Sequence, residues 1–258
     1  MYQNNKYKIV DLFAGCGGLS LGLQQAGFTP WFVNEIVEQF CNTYKANHNL
    51  SDDHYFVGDI ASLNENISKY DELLKDALVG LPHLEARKEK GAKDVENFES
   101  GFTERDFEYT HNEFYDFIND GRDIHKLYNH KNRYNNERDI EIYRRLPQGA
   151  NSLHESIADI MPYKRRNAIF KDKYYKLSEQ EICKTITSHM KYDCNMYIHP
   201  WEARGLSPRE AARIQTFPDD FVITGSQNMW YAQVGNAVPV KLAKAIGTGI
   251  MKFLNETS

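Results

Sequence analysis

A glycine-rich turn and two carboxylates are spaced so that one ligand could be held by all three. Lys8-Ile9-Val10-Asp11-Leu12-Phe13 is an apolar, β-prone run, and Ala14-Gly15-Cys16-Gly17-Gly18 follows it directly. Small residues let a ligand approach the backbone, and the amino end of a following helix offers free N–H groups. Glu35 stands 17 residues beyond Gly18, close to the spacing at which an acid grips ribose hydroxyls in a doubly wound fold. Asp59 ends a third apolar run on the same carboxyl edge, which is where open α/β sheets bind ligands. Alone, the turn reads as an ordinary βα loop and each acid as a helix cap; together they point to a cofactor site. Nucleophilic chemistry would have to come from Cys16, Cys41, Cys183 or Cys194. Their spacings match neither a zinc site nor a dense disulfide framework, so no metal site is expected, and a reducing cytoplasm is the expected compartment.

The elements that must position these groups alternate. After the first strand, Leu19 to Ala26 sets Leu19, Leu23 and Ala26 on one helical face and Gly27 ends it. Thr29 to Asn34 reads as a second strand, Ile36 to Asn47 as a second helix, and Tyr55 to Ile60 as a third strand with its exit. From residue 64 to about 180 no period persists, charge rises between Glu85 and Arg145, and aromatics are scattered, so irregular mixed structure is expected. Pattern returns after residue 181. Ser207, Pro208 and Glu210 spell a helix start, Pro218 a stop, and Val238 to Phe253 an amphipathic helix.

Composition bounds the reading. The chain has 258 residues, 41% hydrophobic and 26% charged, with a formal net charge of -5. That excludes global disorder, and the mild acidity excludes coating of nucleic acid by bulk charge, though not binding through a local basic patch. No apolar run approaches the ~18–20 residues of a membrane span, and Met1 to Lys8 reads as no signal peptide.

Several long segments carry a resemblance. Asp11 to Gly22 is similar to the S-adenosylmethionine motif of DNA cytosine-5 methyltransferases, and Asn34-Glu35 and Gly58-Asp59-Ile60 resemble that family's next two motifs. Arg209 to Pro218 is similar to the late motif that buttresses the target-recognition domain, and Gln233 to Pro239 to the last motif, which folds back on the cofactor. Thr185-Ile186-Thr187 with His199-Pro200 resembles the segment leading into them.

The resemblance implies an α/β fold: a partial Rossmann-like S-adenosylmethionine-dependent methyltransferase domain with a smaller, irregular target-recognition domain. It implies three stretches: 1–74 for the cofactor, 75–205 for target recognition, and 206–258 as a return to the first domain. Phe13, Ala14, Gly15, Cys16, Gly17, Gly18 and Leu19 would line the methionine and ribose. Glu35 would accept from the ribose hydroxyls, Ile36 would pack on adenine, Asp59 would accept from the adenine amino group with Ile60 beside it, and Asn236 and Val238 would close the pocket. Arg209, Glu210 and Arg213 would form a buried polar network, with Thr185, Thr187, Arg204 and Gln215 as further support of the recognition domain. S-adenosylmethionine is the implied cofactor, double-stranded DNA the implied partner, and a bacterial restriction-modification system the implied setting.

The middle of the chain departs from that family. Its chemistry uses a cysteine in a Pro-Cys-Gln loop, a glutamate in Glu-Asn-Val and a Gln-x-Arg-x-Arg support, and none of the three occurs here. Glu96-Asn97-Phe98 mimics the second in a charged, non-strand context. Lys75 to Pro82 resembles the stretch that follows the arginine motif, so the junction falls near Tyr70 to Leu74 and roughly 90 residues or more are missing internally, at about 30 per strand–helix–strand unit. No catalytic residue is therefore assigned. Three functions remain: a family member inactive alone, one subunit of a split enzyme whose partner carries the catalytic loop, or a non-enzymatic regulator binding S-adenosylmethionine or DNA.

Overall fold

The computed structural model describes residues 8–15, 17–48, 50–63, 73–88, 100–110, 112–162 and 173–257. In chain order the elements are β1 (Lys8–Leu12), α1 (Gly18–Gln25), β2 (Thr29–Glu35), α2 (Glu38–Asn47), β3 (Tyr55–Val57), α3 (Leu74–Leu78), β4 (Glu104–Asp106), α4 (Glu113–Asn119), β5 (Lys126–Tyr128), α5 (Glu137–Arg145), α6 (Pro208–Ile214), α7 (Gln227–Gly235) and α8 (Val240–Thr257), with short 3-10 turns between some of them. The chain divides into two compact units: residues 1–70 with 242–258, and residues 71–241.

The first unit is a parallel sheet in the order β1-β2-β3. Alternate side chains of β2 go to opposite faces, as the two-residue strand period requires. On one face Phe32 packs with Ile60 and with Ile246 and Ile250 of α8. On the other, Val33 packs with Cys41 and Tyr44 of α2 and with Tyr55. Both faces of the central strand β2 are covered, which suits its apolar run, whereas β1 alternates, with Ile9 and Asp11 buried and Lys8 and Val10 exposed. Because the strands are parallel, their carboxyl ends lie along one edge. Among the described residues β1 pairs with β2 alone, and Val10 is 45% exposed.

Two boundaries differ from expectation for local reasons. Helix α2 begins at Glu38, not Ile36, because the Val37 N–H is held by the Glu35 side chain and Val37 stays extended as the N-cap. The third strand stops at Val57, and the chain turns into a 3-10 segment, Ile60–Leu63, that drives Ile60 into the core.

The second unit holds the stretch that lacks period. β4 and β5 pair antiparallel, Glu104 opposite Tyr128 and Asp106 opposite Lys126. Helices α4 and α5 start at asparagine caps: Asn112 accepts from Tyr115 N, and Asn136 accepts from Asp139 N at 2.9 Å. α6 opens with a full capping box between Ser207 and Glu210, as the sequence spells. Residues 206–241, expected to return to the first domain, lie within this unit, where Leu206, Ala211, Tyr231 and Val234 share a core with Leu74 and Leu78.

Candidate functional site

In the first unit, the turn after β1 closes on the end of β2. The Glu35 carboxylate accepts from Gly15 N at 2.7 Å through Oε2 and from Val37 N at 2.9 Å through Oε1. The Val37 amide, and with it the Gly15 amide, holds this carboxyl below the usual carboxylate range, so Glu35 is charged at neutral pH. Each oxygen keeps a lone pair for a further donor. Gly15 and Gly17 both have positive φ, +57° and +89°, which only glycine adopts without strain. Phe13 adopts φ +57° despite its side chain and is 69% exposed. Strain of that kind in a non-glycine residue persists where the surroundings hold it, and such positions cluster at ligand sites. Leu19 and Ile36 are also exposed apolar side chains. A charged acceptor for hydroxyls, a small-residue turn and exposed apolar side chains for the face of a base, all at one sheet edge, fit a nucleoside-type cofactor.

The other expected cofactor residues fall as follows. Ala14 is half-buried beside the α2 face, Gly18 opens α1, and Asp59 is exposed. Asn34 ties the site together by donating to Phe56 O and Gly58 O at 3.1 and 2.9 Å. Ile60 is a core residue packed on Phe32. Asn236 and Val238 are exposed and belong to the second unit. Cys16 and Glu96-Asn97-Phe98 lie outside the described residues.

The sequence reasoning missed a layer beneath the turn. Ser20 donates to Asp11 at 2.6 Å, and His48 stacks on Tyr44 at 4.0 Å between centroids. Tyr44 and His48 are four residues apart at the end of α2, a spacing that could have been read as one helical face.

In the second unit, the late-motif residues are buried together. Arg204 donates twice to Glu210, at 2.8 and 2.7 Å, and Glu210 also accepts from Ser207 N. Arg213 donates twice to Asp219, at 2.8 and 2.7 Å, and reaches Val79 O. Arg209 is different. It is fully buried and donates to the backbone carbonyls of Tyr128, Pro218 and Phe221. Its guanidinium fork thus fastens the strand β5 exit to the loop after α6. Gln215 donates to Val234 O, and the Thr185 and Thr187 segment is held through Tyr197, whose hydroxyl donates to Thr185 O and meets Thr187 Oγ1 at 3.0 Å.

Two buried histidines flank this network. His130 bridges Ser207 Oγ and Pro82 O, both at 2.9 Å, and His199 lies 3.6 Å from Glu210. Burial pushes His130 down to about 4 and His199 to about 3. An unfolded imidazole takes up its proton near 6.5. Between that pH and about 4 the unfolded chain binds more protons than the folded one, so stability falls as pH drops. Each histidine should remove up to ~1.4 kcal/mol per pH unit in that window. Denaturant titrations at pH 7, 6 and 5 should show a progressive fall; equal midpoints at all three would count against neutral, buried histidines.

The thiols and the cations were also placed. Burial raises Cys41, Cys183 (to about 12) and Cys194 (to about 11), and Cys41 and Cys194 are buried in the cores of their respective units. Of the basic residues that stand among aromatics in the stretch expected to recognise the target, Arg133 donates to Met190 O and lies over Tyr231, Arg138 meets Asp139, and Arg144 and Arg145 pair with Glu141. Lys164, Arg165 and Arg166 lie outside the described residues. Among the described residues no group of His, Cys, Asp or Glu is placed to hold a metal ion, and no helix is long and apolar enough to cross a membrane.

The sequence model of the family described as C-5 cytosine-specific DNA methylase matches residues 7–82 and 84–252. The chain is 27% identical to the type II methyltransferase M.PspPI of Psychrobacter sp., over 339 aligned positions that cover 98% of this chain and 80% of that protein. A chain of 258 residues cannot fill 339 positions, so at least 81 of them face a gap in it. It is 43% identical over 81 residues to the type II methyltransferase M.Sau96I of Staphylococcus aureus, 31% of this chain and 19% of that protein. A solved E. coli structure, described as a candidate DNA modification methyltransferase encoded within a prophage, aligns with a TM-score of 0.50 and 17% identity over 97% of this chain and 100% of the other. That likeness is one of fold, and the α/β class expected from the sequence is the one found.

Proposed function

The chain belongs to the C-5 cytosine-specific DNA methylase family, and from that membership we propose that it is an internally shortened member that binds S-adenosylmethionine but does not methylate DNA alone. The family takes its methyl group from S-adenosylmethionine and acts on double-stranded DNA. The observation that carries the cofactor half is the Glu35 carboxylate drawn against the glycine turn, with Phe13, Leu19 and Ile36 exposed nearby. In this reading residues 1–74 serve the cofactor and residues 75–205 the DNA. Glu35 accepts the ribose hydroxyls and Asp59 the adenine amino group. What S-adenosylmethionine supplies when bound is an activated methyl group. The setting is a bacterial restriction-modification system, in keeping with the type II relatives.

Removing a charged acceptor costs ~1.5–3 kcal/mol, roughly a 10- to 150-fold loss of affinity. Calorimetry with S-adenosylmethionine should show that loss for Glu35→Ala; unchanged affinity, with the parent chain binding measurably, would sink the assignment. DNA binding should be weak and steeply salt-dependent, because phosphate contacts release counterions. Arg133, Arg138, Arg144 and Arg145, basic residues of the 75–205 stretch, are already engaged within the chain, which favours the weak end. A titration with duplex DNA that shows no binding at low salt would argue against a retained recognition function.

The at least 81 unfilled positions support internal loss. That β1 pairs with β2 alone among the described residues favours a second reading, in which another polypeptide supplies the missing strands and the catalytic loop. Methyl transfer that appears only on adding a chain with Pro-Cys-Gln, Glu-Asn-Val and Gln-x-Arg-x-Arg would establish it. If the chain binds S-adenosylmethionine or DNA but no such addition brings activity, a non-enzymatic regulator is what remains.

A further inference from the structure

Gly17 sits on a support built from three elements. A Cβ placed on it would fall 2.4 Å from His48 Nε2 and 2.6 Å from Tyr44 Cδ2, so the turn rests directly on these two rings. His48 stacks on Tyr44 with an interplanar angle of 27°, and its Nδ1 is in hydrogen-bond contact with Gln24 Oε1 of α1. A proton on Nδ1 satisfies that carbonyl oxygen, and the ring's other edge meets the Gly17 backbone in a contact that favours a second proton. The groups facing the imidazole are Asp11 of β1, Gln24 of α1, Tyr44 of α2 and the Gly17 backbone, with Ser20 of α1 bonded to Asp11. Asp11 is occupied by Ser20, and His48, Tyr44 and Ser20 are all buried.

We propose that His48 is the positioning residue of the glycine turn: its neutral imidazole props Gly17 in the cofactor-binding conformation, and its protonation withdraws the prop. The inference rests on the reading of Gly15–Gly18 as the cofactor turn. A charged imidazole in this buried layer loses its hydration, a cost that the Gly17 backbone contact and the Asp11 carboxylate, already bonded to Ser20, together do not offset. The ring therefore leaves the layer when it takes a proton, and Gly17 loses the surface it rests on. The turn's open end, where Gly15 meets Glu35, is then joined to a floor that no longer holds it. Burial lowers His48 below the ordinary imidazole range, with the Gly17 backbone and Asp11 opposing, so the neutral ring is the resting form at pH 7.

The test is the dissociation constant for S-adenosylmethionine between pH 8 and pH 5.5, measured on the full chain and on His48→Phe. Phenylalanine keeps a ring on Tyr44 but cannot take a proton. For the parent, affinity should hold at high pH and fall up to tenfold per pH unit once His48 protonates. His48→Phe should bind several-fold more weakly at pH 8 but with a level profile. His130, His199 and the ligand's own groups titrate in both proteins, so the difference between the curves isolates His48. Parallel curves would overturn the inference. If the parent binds no S-adenosylmethionine at any pH, the cofactor reading itself fails. The support is then read directly: the backbone amide resonances of Gly15 and Gly17 should shift with pH in the parent and stay fixed in His48→Phe, and identical behaviour in both overturns it.

Discussion

Purified chain incubated with tritiated S-adenosylmethionine and mixed-sequence duplex DNA should leave no enzyme-dependent 5-methylcytosine. C5 of cytosine is a poor nucleophile until a group adds at C6, and that addition needs a positioned thiolate. The described thiols do not offer one. Burial raises all three, Cys183 to about 12 and Cys194 to about 11, which makes the thiolate rare at neutral pH. Cys41 and Cys194 are closed within hydrophobic cores. Cys16 belongs to the glycine turn. The chain also lacks the Glu-Asn-Val glutamate, so no group takes up the charge that develops on attack. Cofactor affinity is the necessary companion measurement, because the glycine turn and Glu35 are independent of the missing loop. Sustained methylation by the chain alone would refute the proposal, and cysteine-by-cysteine substitution would then locate the nucleophile.

Glu210→Ala should destabilise the second unit by ~3–5 kcal/mol, the cost of leaving one partner of a buried ion pair uncompensated. Arg204 is 0% exposed and Glu210 2% exposed, so neither charge is screened by water. Burial alone would raise the Glu210 carboxyl; the two bonds from Arg204 more than offset that and hold it far below the usual carboxylate range. The substitution removes those bonds and also the acceptor of Ser207 N, which opens the capping box of α6. Against a domain stability of about 5–15 kcal/mol, this is a large fraction. Guanidinium unfolding followed by tyrosine and tryptophan fluorescence should show the midpoint collapse. Replacing both partners together, Arg204→Met with Glu210→Leu, should recover much of the loss, since no charge is then stranded. A double variant as unstable as the single one would mean that the pair's geometry, not its charge balance, holds the unit.

How far the sequence could be read depended on what each segment buries. The βαβαβ order of residues 8–60 was legible because the strands are short β-prone runs between glycine punctuation, with the central strand buried on both faces. The start of α6 was legible because a capping box is a local device, complete within Ser207 to Glu210. Helices α4 and α5 were not, although Asn112 and Asn136 cap them: they are only 7 and 9 residues long, too short for a period to stand out in a stretch dense in charge. The hairpin β4–β5 is three residues a side with charged ends, too short to impose a period. At the candidate site, Glu35 and the turn could be placed by spacing alone. The layer of His48, Tyr44 and Gln24 could not, because it depends on two helices meeting beneath one glycine.

The first unit is assembled from both ends of the chain, and that sets an order of events during synthesis. Phe32 emerges from the ribosome more than two hundred residues before Ile246 and Ile250, the α8 side chains that cover its face of the sheet. Until α8 is released, one side of the nascent sheet has no lid, whereas residues 71–241 already hold everything their own cores need. Vectorial folding normally favours the amino-terminal part. Here the middle of the chain can mature first while the amino-terminal strands wait, exposed to chaperones and proteases, for the last helix to arrive. A ribosome stalled before codon 242 would therefore present a native-like central unit joined to a protease-sensitive leader, a pattern that limited proteolysis of arrested nascent chains would reveal.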